Sequence, residues 1–289
     1  MICLVVLILL DSLNLYSQSN VKIVYKAPGF LQKALTEDIV LHQNLRYGPI
    51  PDSIDTPLSD RLLDIYLPKN VVKGVKLPLF LFIHGGGFSG GDKGLTDFCL
   101  KIAQQGYAVA SINYRLSLRG NKVPGAGCGS NMSKGLPVNG TFHPLLQSAV
   151  SNASEDAALA LRWLKKNANE YNLDPGNAIV CGGSAGAMTA LHLAYQSGQS
   201  AFKIKAVVNL WGGLENSGVI KKGAPPLLTF HGDLDDIIHI DYAYALHKRM
   251  NEIGSAKSKI NILKDKGHAQ YKLITETKIT EIADFLKNL

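Results

Sequence analysis

Short apolar runs alternate along this chain with segments whose apolar residues recur every three or four positions. Residues 61–68, 79–83, 107–114, 178–181, 204–210, 226–230 and 259–263 read as strands, and most are continuously apolar, as strands buried on both faces are. Helical periodicity marks 96–105, 154–171, 185–196, 242–253 and 274–286. Asn152 and Glu155 have the spacing of a capping box, which puts the start of the second helix near Ser154. Strands and helices in alternation predict an α/β fold, a mostly parallel central sheet with helices on both faces. Such sheets hold their ligands beyond the carboxyl ends of the strands. The residues just after each strand therefore carry the functional reading.

The first ten residues are continuously apolar, Asp11 interrupts them, and Ser17-Gln18-Ser19-Asn20 follows. This reads as a secretory signal over 1–19, although no Lys or Arg precedes the apolar run. It predicts a secreted or periplasmic protein with one domain over 20–289. No internal stretch approaches 18 consecutive apolar residues, so no membrane span is expected. With 46% hydrophobic and 18% charged residues the chain is not a disordered one. The net charge of +7 is scattered and accompanies no nucleic-acid-binding signature. Neither a Cys-x-x-Cys pair nor a histidine cluster is present, so no metal and no cofactor are expected. Cys99, Cys128 and Cys181 remain after the signal, and a Cys99–Cys128 disulfide stays open for an exported protein.

The chemistry begins where the strand at 178–181 ends. Gly182-Gly183-Ser184-Ala185-Gly186 follows it and leads straight into a helix, the G-x-S-x-G pattern in a strand–turn–helix context. A serine on so sharp a turn projects its hydroxyl into the cleft, at the positive end of the following helix. The plain alternative is a Gly-rich turn whose serine caps that helix. Gly87-Phe88-Ser89-Gly90-Gly91 matches the same pattern, but helical periodicity resumes only near Thr96, so Ser89 reads as a loop residue. The glycines before it follow a strand as His84-Gly85-Gly86-Gly87, where backbone N–H groups free of side chains can bind a developing oxyanion.

A serine needs a base to take its proton. Of the candidate bases after Ser184, which are His192, His231, His239, His247 and His268, three (His192, His239 and His247) lie in helical pattern, whereas His268 follows the strand at 259–263 in a loop. Asp233, Asp235 and Asp236 compete for the acid after the strand at 226–230; Asp233 suits a turn, Asp236 a helix cap, and Asp235 the third role. A divalent-metal loop of Asp235, Asp236, His239 and Asp241 is the alternative for that cluster.

The order Ser184, Asp235, His268 behind a His-Gly-Gly-Gly segment resembles the α/β-hydrolase fold, in its esterase/lipase branch. The chain looks most like secreted esterases of the feruloyl/acetyl-xylan type. Leu63-Asp64-Ile65-Tyr66, Gly90-Gly91-Asp92-Lys93, Asn113-Tyr114-Arg115, 156–164, His231-Gly232 to Asp235 and Gly267-His268 carry the likeness with the motifs above, over roughly residues 60 to 270. The resemblance implies Ser184 as nucleophile, Asp235 as acid, His268 as base, and the N–H groups of Gly86, Gly87 and Ala185 as oxyanion donors. It also implies a structural pair of Arg115 and Asp156. Phe88, where the family often has Trp, is expected at the substrate. Residues 116–142 look like an insertion forming a lid or rim, and the short stretch from Leu214 to Pro226 leaves no room for a helical cap. The implied activity is hydrolysis of short-chain acyl esters, small or borne on a polysaccharide. A lipase, lactonase or peptidase on the same triad, or a non-catalytic binding protein on this fold, is the alternative.

Overall fold

The computed structural model describes residues 38–50, 58–120, 123–137 and 140–289. The expected signal over 1–19 lies outside these residues. Eight strands, β1 (Ile39–Arg46), β2 (Leu62–Pro68), β3 (Leu77–Ile83), β4 (Ala108–Ile112), β5 (Leu173–Gly183), β6 (Ile204–Leu210), β7 (Leu227–Gly232) and β8 (Lys259–Leu263), form one sheet in the order β1-β2-β4-β3-β5-β6-β7-β8. β2 runs antiparallel to β1 and β4, and every pair from β4 through β3 to β8 is parallel. Helices α1 (Thr96–Ala103), α2 (Cys128–Met132), α3 (Pro144–Lys166), α4 (Ala185–Tyr195), α5 (Asp241–Glu252), α6 (Tyr271–Thr277) and α7 (Ile279–Lys287) complete the described elements, with a single 3₁₀ turn at Ser217–Val219.

The continuous apolar runs become the central strands because both faces of the sheet are covered. In β3, Leu79, Leu81 and Ile83 point into the core beneath α3, α4 and α5, while Phe80 and Phe82 point into the opposite core beneath α1, α6 and α7. This is the two-residue alternation of a strand with an apolar layer on either side. Phe80 and Phe82 pack on Phe98 of α1, with ring centroids 6.1 and 5.2 Å apart. Each such ring taken out of water contributes about 1.5–3 kcal/mol.

Four expectations change. α3 starts ten residues before Ser154. Leu146, Ala149, Val150 and Ala153 are buried on the same stripe as Ala157, Ala160, Leu161 and Leu164, so the helix extends back to Pro144 at its first position. His143 caps it by accepting the Leu145 N–H at 3.2 Å. Asn152 is mid-helix, and its amide donates to the Ser117 hydroxyl at 3.0 Å. The run 274–286 is two helices parted at Lys278. β1 had no apolar run to announce it. The Cys99–Cys128 disulfide does not exist: both thiols and that of Cys181 are free. Cys99 belongs to the core on one side of the sheet and Cys128 to the core on the other, with the sheet between them.

Among the described residues no helix is long and apolar enough to cross a membrane. The described residues of the segment 116–142 include several that pack into the core. Leu116, Leu118, Ala126, Cys128, Met132 and Phe142 are buried in the core, and the Met132 carbonyl accepts the His239 N–H at 3.0 Å. From Leu214 to Pro226 the chain makes only the 3₁₀ turn, with no helical cap.

Candidate active site

Three loops at the carboxyl ends of β5, β7 and β8 converge. Ser184 stands between β5 and α4 with φ +55° and ψ −122°, a conformation L-residues adopt only when the surroundings enforce it, at a cost of roughly 1–3 kcal/mol. The flanking glycines show what enforces it. A Cβ on Gly186 would overlap the carbonyl oxygen of Ile83, and one on Gly182 would overlap that of Gly186. Strand, turn and helix are thus in backbone contact, and the Ser184 N–H is held by the Leu210 carbonyl at 2.9 Å.

The Ser184 hydroxyl lies 2.8 Å from His268 Nε2, and His268 Nδ1 lies 2.7 Å from Asp235 Oδ2. A carboxylate only accepts, so Nδ1 carries the proton and Nε2 accepts from the serine. Asp235 is itself fixed: its Oδ1 accepts the N–H groups of Ile237 and Ile238 at 3.0 and 2.9 Å. The fully buried His231 donates from Nε2 to the Ile238 carbonyl at 2.7 Å and lies 3.3 Å from Asp235 Oδ2. Burial alone would raise the Asp235 carboxyl. The hydrogen bonds from His231, His268 and the Ile238 backbone outweigh it and hold the group well below the usual carboxylate range. Asp235 is therefore an anion buried under a histidine, the arrangement that fixes one imidazole tautomer.

The glycine segment after β3 forms the facing wall. Gly86 and Gly87 both have positive φ, +111° and +62°, and a Cβ on Gly85 would sit 3.3 Å from that of Ser184. No acceptor among the described residues takes the N–H of Gly86, Gly87 or Ala185, the last being the first residue of α4. Asn113 and Tyr114, just past β4, anchor this segment. The Tyr114 hydroxyl donates to the His84 carbonyl at 2.9 Å and its ring stacks on the His84 imidazole at 4.5 Å. Asn113 accepts the Lys93 N–H at 2.7 Å and donates to Asp92 at 2.9 Å, while the Lys93 ammonium meets Asp64 at 3.0 Å. Burial lowers the His84 pKa, which keeps its ring neutral beside Tyr114. Arg115 and Arg61 both clasp Asp156, at 2.9 and 3.0 Å, as the structural pairing implied.

One assignment changes, and one alternative falls. Phe88 does not line the cleft. It is fully buried, edge-on to Tyr114 at 6.2 Å, because its φ of +61° turns the side chain inward. Asp235 spends one oxygen on His268 and the other on the backbone N–H groups of Ile237 and Ile238, while His239 pairs with Asp241 at 3.2 Å and Asp236 is exposed. Among the described residues no group of three His, Cys, Asp or Glu side chains is placed to hold a metal ion. Ser89 lies in the turn, its hydroxyl 3.3 Å from the Gly86 carbonyl.

The triad opens onto a cavity of about 650 Å³, walled by Leu95, Cys128, Ile237, Ala269 and Tyr271 as well as by Ser184 and His268. The sequence reading missed Leu95, Ile237 and Tyr271, and it weighed His231 as a candidate base where the structure sets it beside Asp235. His231 alone left a signal, as the first residue of His-Gly-x-Leu-Asp at the end of β7.

The BD-FAE family model matches residues 63–126, and a family described as alpha/beta hydrolase fold matches 147–247. Fumonisin B1 esterase of Sphingopyxis macrogoltabida is 35% identical over 145 residues, 48% of this chain and 24% of that protein. Cocaine esterase of Oryctolagus cuniculus is 31% identical over 137 residues, 47% of this chain and 22% of that one. The matched part thus spans less than a quarter of these relatives. Among solved structures, a truncated carbohydrate esterase from gut microbiota superposes with a TM-score of 0.60 at 18% identity, covering 86% of this chain and 95% of that one. Esterase B from Lactobacillus Rhamnosis gives 0.58 at 17%, covering 89% and 91%. The chain is an α/β-hydrolase-fold protein, similar in sequence to esterases.

Proposed function

We propose that this protein is a serine carboxylic-ester hydrolase acting through an acyl-enzyme. The observation that carries the reading is the continuous relay of Ser184, His268 and Asp235 at 2.8 and 2.7 Å, with the serine on a strained elbow. His268 Nε2 takes the Ser184 proton as the hydroxyl oxygen attacks the ester carbonyl. The carbonyl oxygen, now negative, is met by the N–H groups of Gly86, Gly87 and Ala185, each worth about 3 kcal/mol in the transition state. His268 then gives its proton to the departing alcohol, leaving the acyl group on Ser184. Water, deprotonated by the same nitrogen, releases the acid. Asp235 holds the imidazole and balances the imidazolium, and His231 with the two backbone donors keeps Asp235 in place.

The absence of a helical cap between Leu214 and Pro226 leaves the cleft open toward solvent, which supports short acyl groups and room for a bulky alcohol such as a polysaccharide. Export would place the enzyme where such polymers are found, and the apolar start of the chain supports it. Ser184→Ala is expected to lower kcat for p-nitrophenyl acetate by about 10⁵–10⁶, and Ser89→Ala by less than about 30-fold. Equal losses would refute the assignment.

A further inference from the structure

The ester chemistry above leaves one buried polar group beside the triad unused, the hydroxyl of Tyr271. Tyr271 opens α6, three residues after His268, and its ring flanks the cavity next to Ser184. The residue as a whole is half-buried, but its hydroxyl is closed off and has no hydrogen-bond partner among the described residues. A buried hydroxyl without a partner is destabilising, so its presence here asks for a compensating role. The tip of the ring is wedged between two backbone segments of the site. A Cβ on Gly183 would overlap the phenol oxygen, and one on Gly85 would lie 3.0 Å from it and 3.3 Å from the Cβ of Ser184. The phenol thus fills the space where the nucleophile turn meets the glycine segment after β3. The other end of the ring is held edge-on to the fully buried Trp211, with centroids 4.9 Å apart.

Two consecutive peptide groups of the glycine segment feel this wedge. The first joins His84 to Gly85 and lies between two tyrosines. Its carbonyl accepts the Tyr114 hydroxyl at 2.9 Å. Its N–H, that of Gly85, faces the Tyr271 oxygen and offsets part of the rise that burial gives the Tyr271 pKa, although it stops short of hydrogen-bond geometry. The second joins Gly85 to Gly86 and carries the Gly86 N–H, one of the oxyanion donors proposed above. Its carbonyl oxygen lies 2.6 Å from Nδ1 of the neutral His84 ring, which donates to it because a carbonyl only accepts. The Gly86 N–H can be aimed only as firmly as these two peptides are held.

We propose that Tyr271 is a positioning residue for the oxyanion wall: with Tyr114 it holds the His84–Gly85 peptide from both sides and so fixes the direction of the Gly86 N–H relative to the Ser184 oxygen. The proposal rests on the esterase reading and extends it. The Tyr271 hydroxyl touches no substrate, since it is closed off beneath the wall. It acts by its size and place. Oxyanion donors are effective because they are already aimed when charge develops, and a spacer of fixed length between wall and turn supplies that aim. Phenylalanine would keep the ring on Trp211 but leave a gap one oxygen wide, into which the peptide can turn. Displacement of a reacting group by about 1 Å can cost on the order of 10² in rate.

The test compares Tyr271→Phe with the parent protein in hydrolysis of p-nitrophenyl acetate and in inhibition by an alkyl trifluoromethyl ketone. The ketone adds to an active serine and places a full oxyanion against the wall. kcat is expected to fall about tenfold with KM within about twofold, a part of the 10²–10³ that loss of one oxyanion donor costs. Affinity for the ketone should fall by a similar factor. The midpoint of the acid limb of kcat/KM should stay in place, because Ser184, His268 and Asp235 are untouched. Adding Tyr114→Phe should cost less than the product of the two single losses, since both hydroxyls act on one peptide. Unchanged kcat and ketone affinity in Tyr271→Phe, a displaced acid limb, or single losses that simply multiply would each overturn the proposal and leave the esterase reading standing. A parent protein that turned over no ester would overturn that reading and the proposal with it.

Discussion

Asp235→Asn changes one atom and leaves volume and shape alone, so its effect can be worked from the hydrogen bonds. Oδ1 accepts two backbone N–H groups, from Ile237 and Ile238, and Oδ2 faces the N–H groups of His268 and His231. All four are donors. An asparagine has one acceptor oxygen and one donor nitrogen, so its NH₂ must face donors whichever way it turns. Keeping the oxygen on the two backbone groups retains two bonds and points the NH₂ at His268 Nδ1. That ring then avoids the clash only by carrying its proton on Nε2, where it faces the Ser184 hydroxyl as a second donor and can take no proton from it. The base is lost while the fold remains. The expected fall in kcat is on the order of 10⁴, the known cost of the wrong imidazole tautomer in such triads, or about 5 kcal/mol of barrier. Steady-state hydrolysis of p-nitrophenyl acetate measures it, with Asp233→Asn and Asp236→Asn as controls within about fivefold of the parent. An Asp235→Asn enzyme that retained a tenth of its activity, or an Asp236→Asn enzyme that lost as much, would refute the reasoning.

Gly186→Ala places a methyl group on the Ile83 carbonyl, so it should destabilise the fold by about 1–3 kcal/mol or more in urea melts and displace the oxyanion wall, whereas Gly90→Ala, which meets open space, should do neither. Across p-nitrophenyl esters, kcat/KM should be highest from acetyl to butyryl and fall beyond about six carbons, because each methylene left wet in the uncapped cleft forgoes about 0.8 kcal/mol. A steady rise to decanoyl would mean that residues 116–142 close over the site as an apolar lid.

The central strands and the nucleophile turn were legible because their signals are local. Leu79 to Ile83 is a short apolar run ended by glycines, which reads as a doubly buried strand, and the Ser184 turn is written in five consecutive residues. β1 was not legible, for Ile39–Arg46 is an edge strand whose sequence mixes His42, Gln43, Asn44 and Arg46 with its apolar residues. The start of α3 was hidden by Asn152, which imitates a cap but spends its amide on Ser117, a contact between distant segments. Phe88 was misplaced because an aromatic next to the glycine loop suggests a substrate wall, and only the positive φ that turns it inward shows otherwise. Ser184, Asp235 and His268 could be named from their places after β5, β7 and β8. Leu95, Ile237 and Tyr271 could not, since their roles depend on the packing of separate loops against one another; His231 was visible as a histidine after β7, but its place beside Asp235 was not.

The central claim is that Ser184 is a nucleophile made reactive by His268 and Asp235. A fluorophosphonate probe tests it directly, because it bonds covalently only to an activated serine. Incubation of the intact protein with the probe, proteolysis and mass spectrometry should locate one adduct, on Ser184. Adduct formation should slow by several orders of magnitude in His268→Ala. An unmodified Ser184, labelling on Ser89, or labelling at an unchanged rate without His268 would contradict the account.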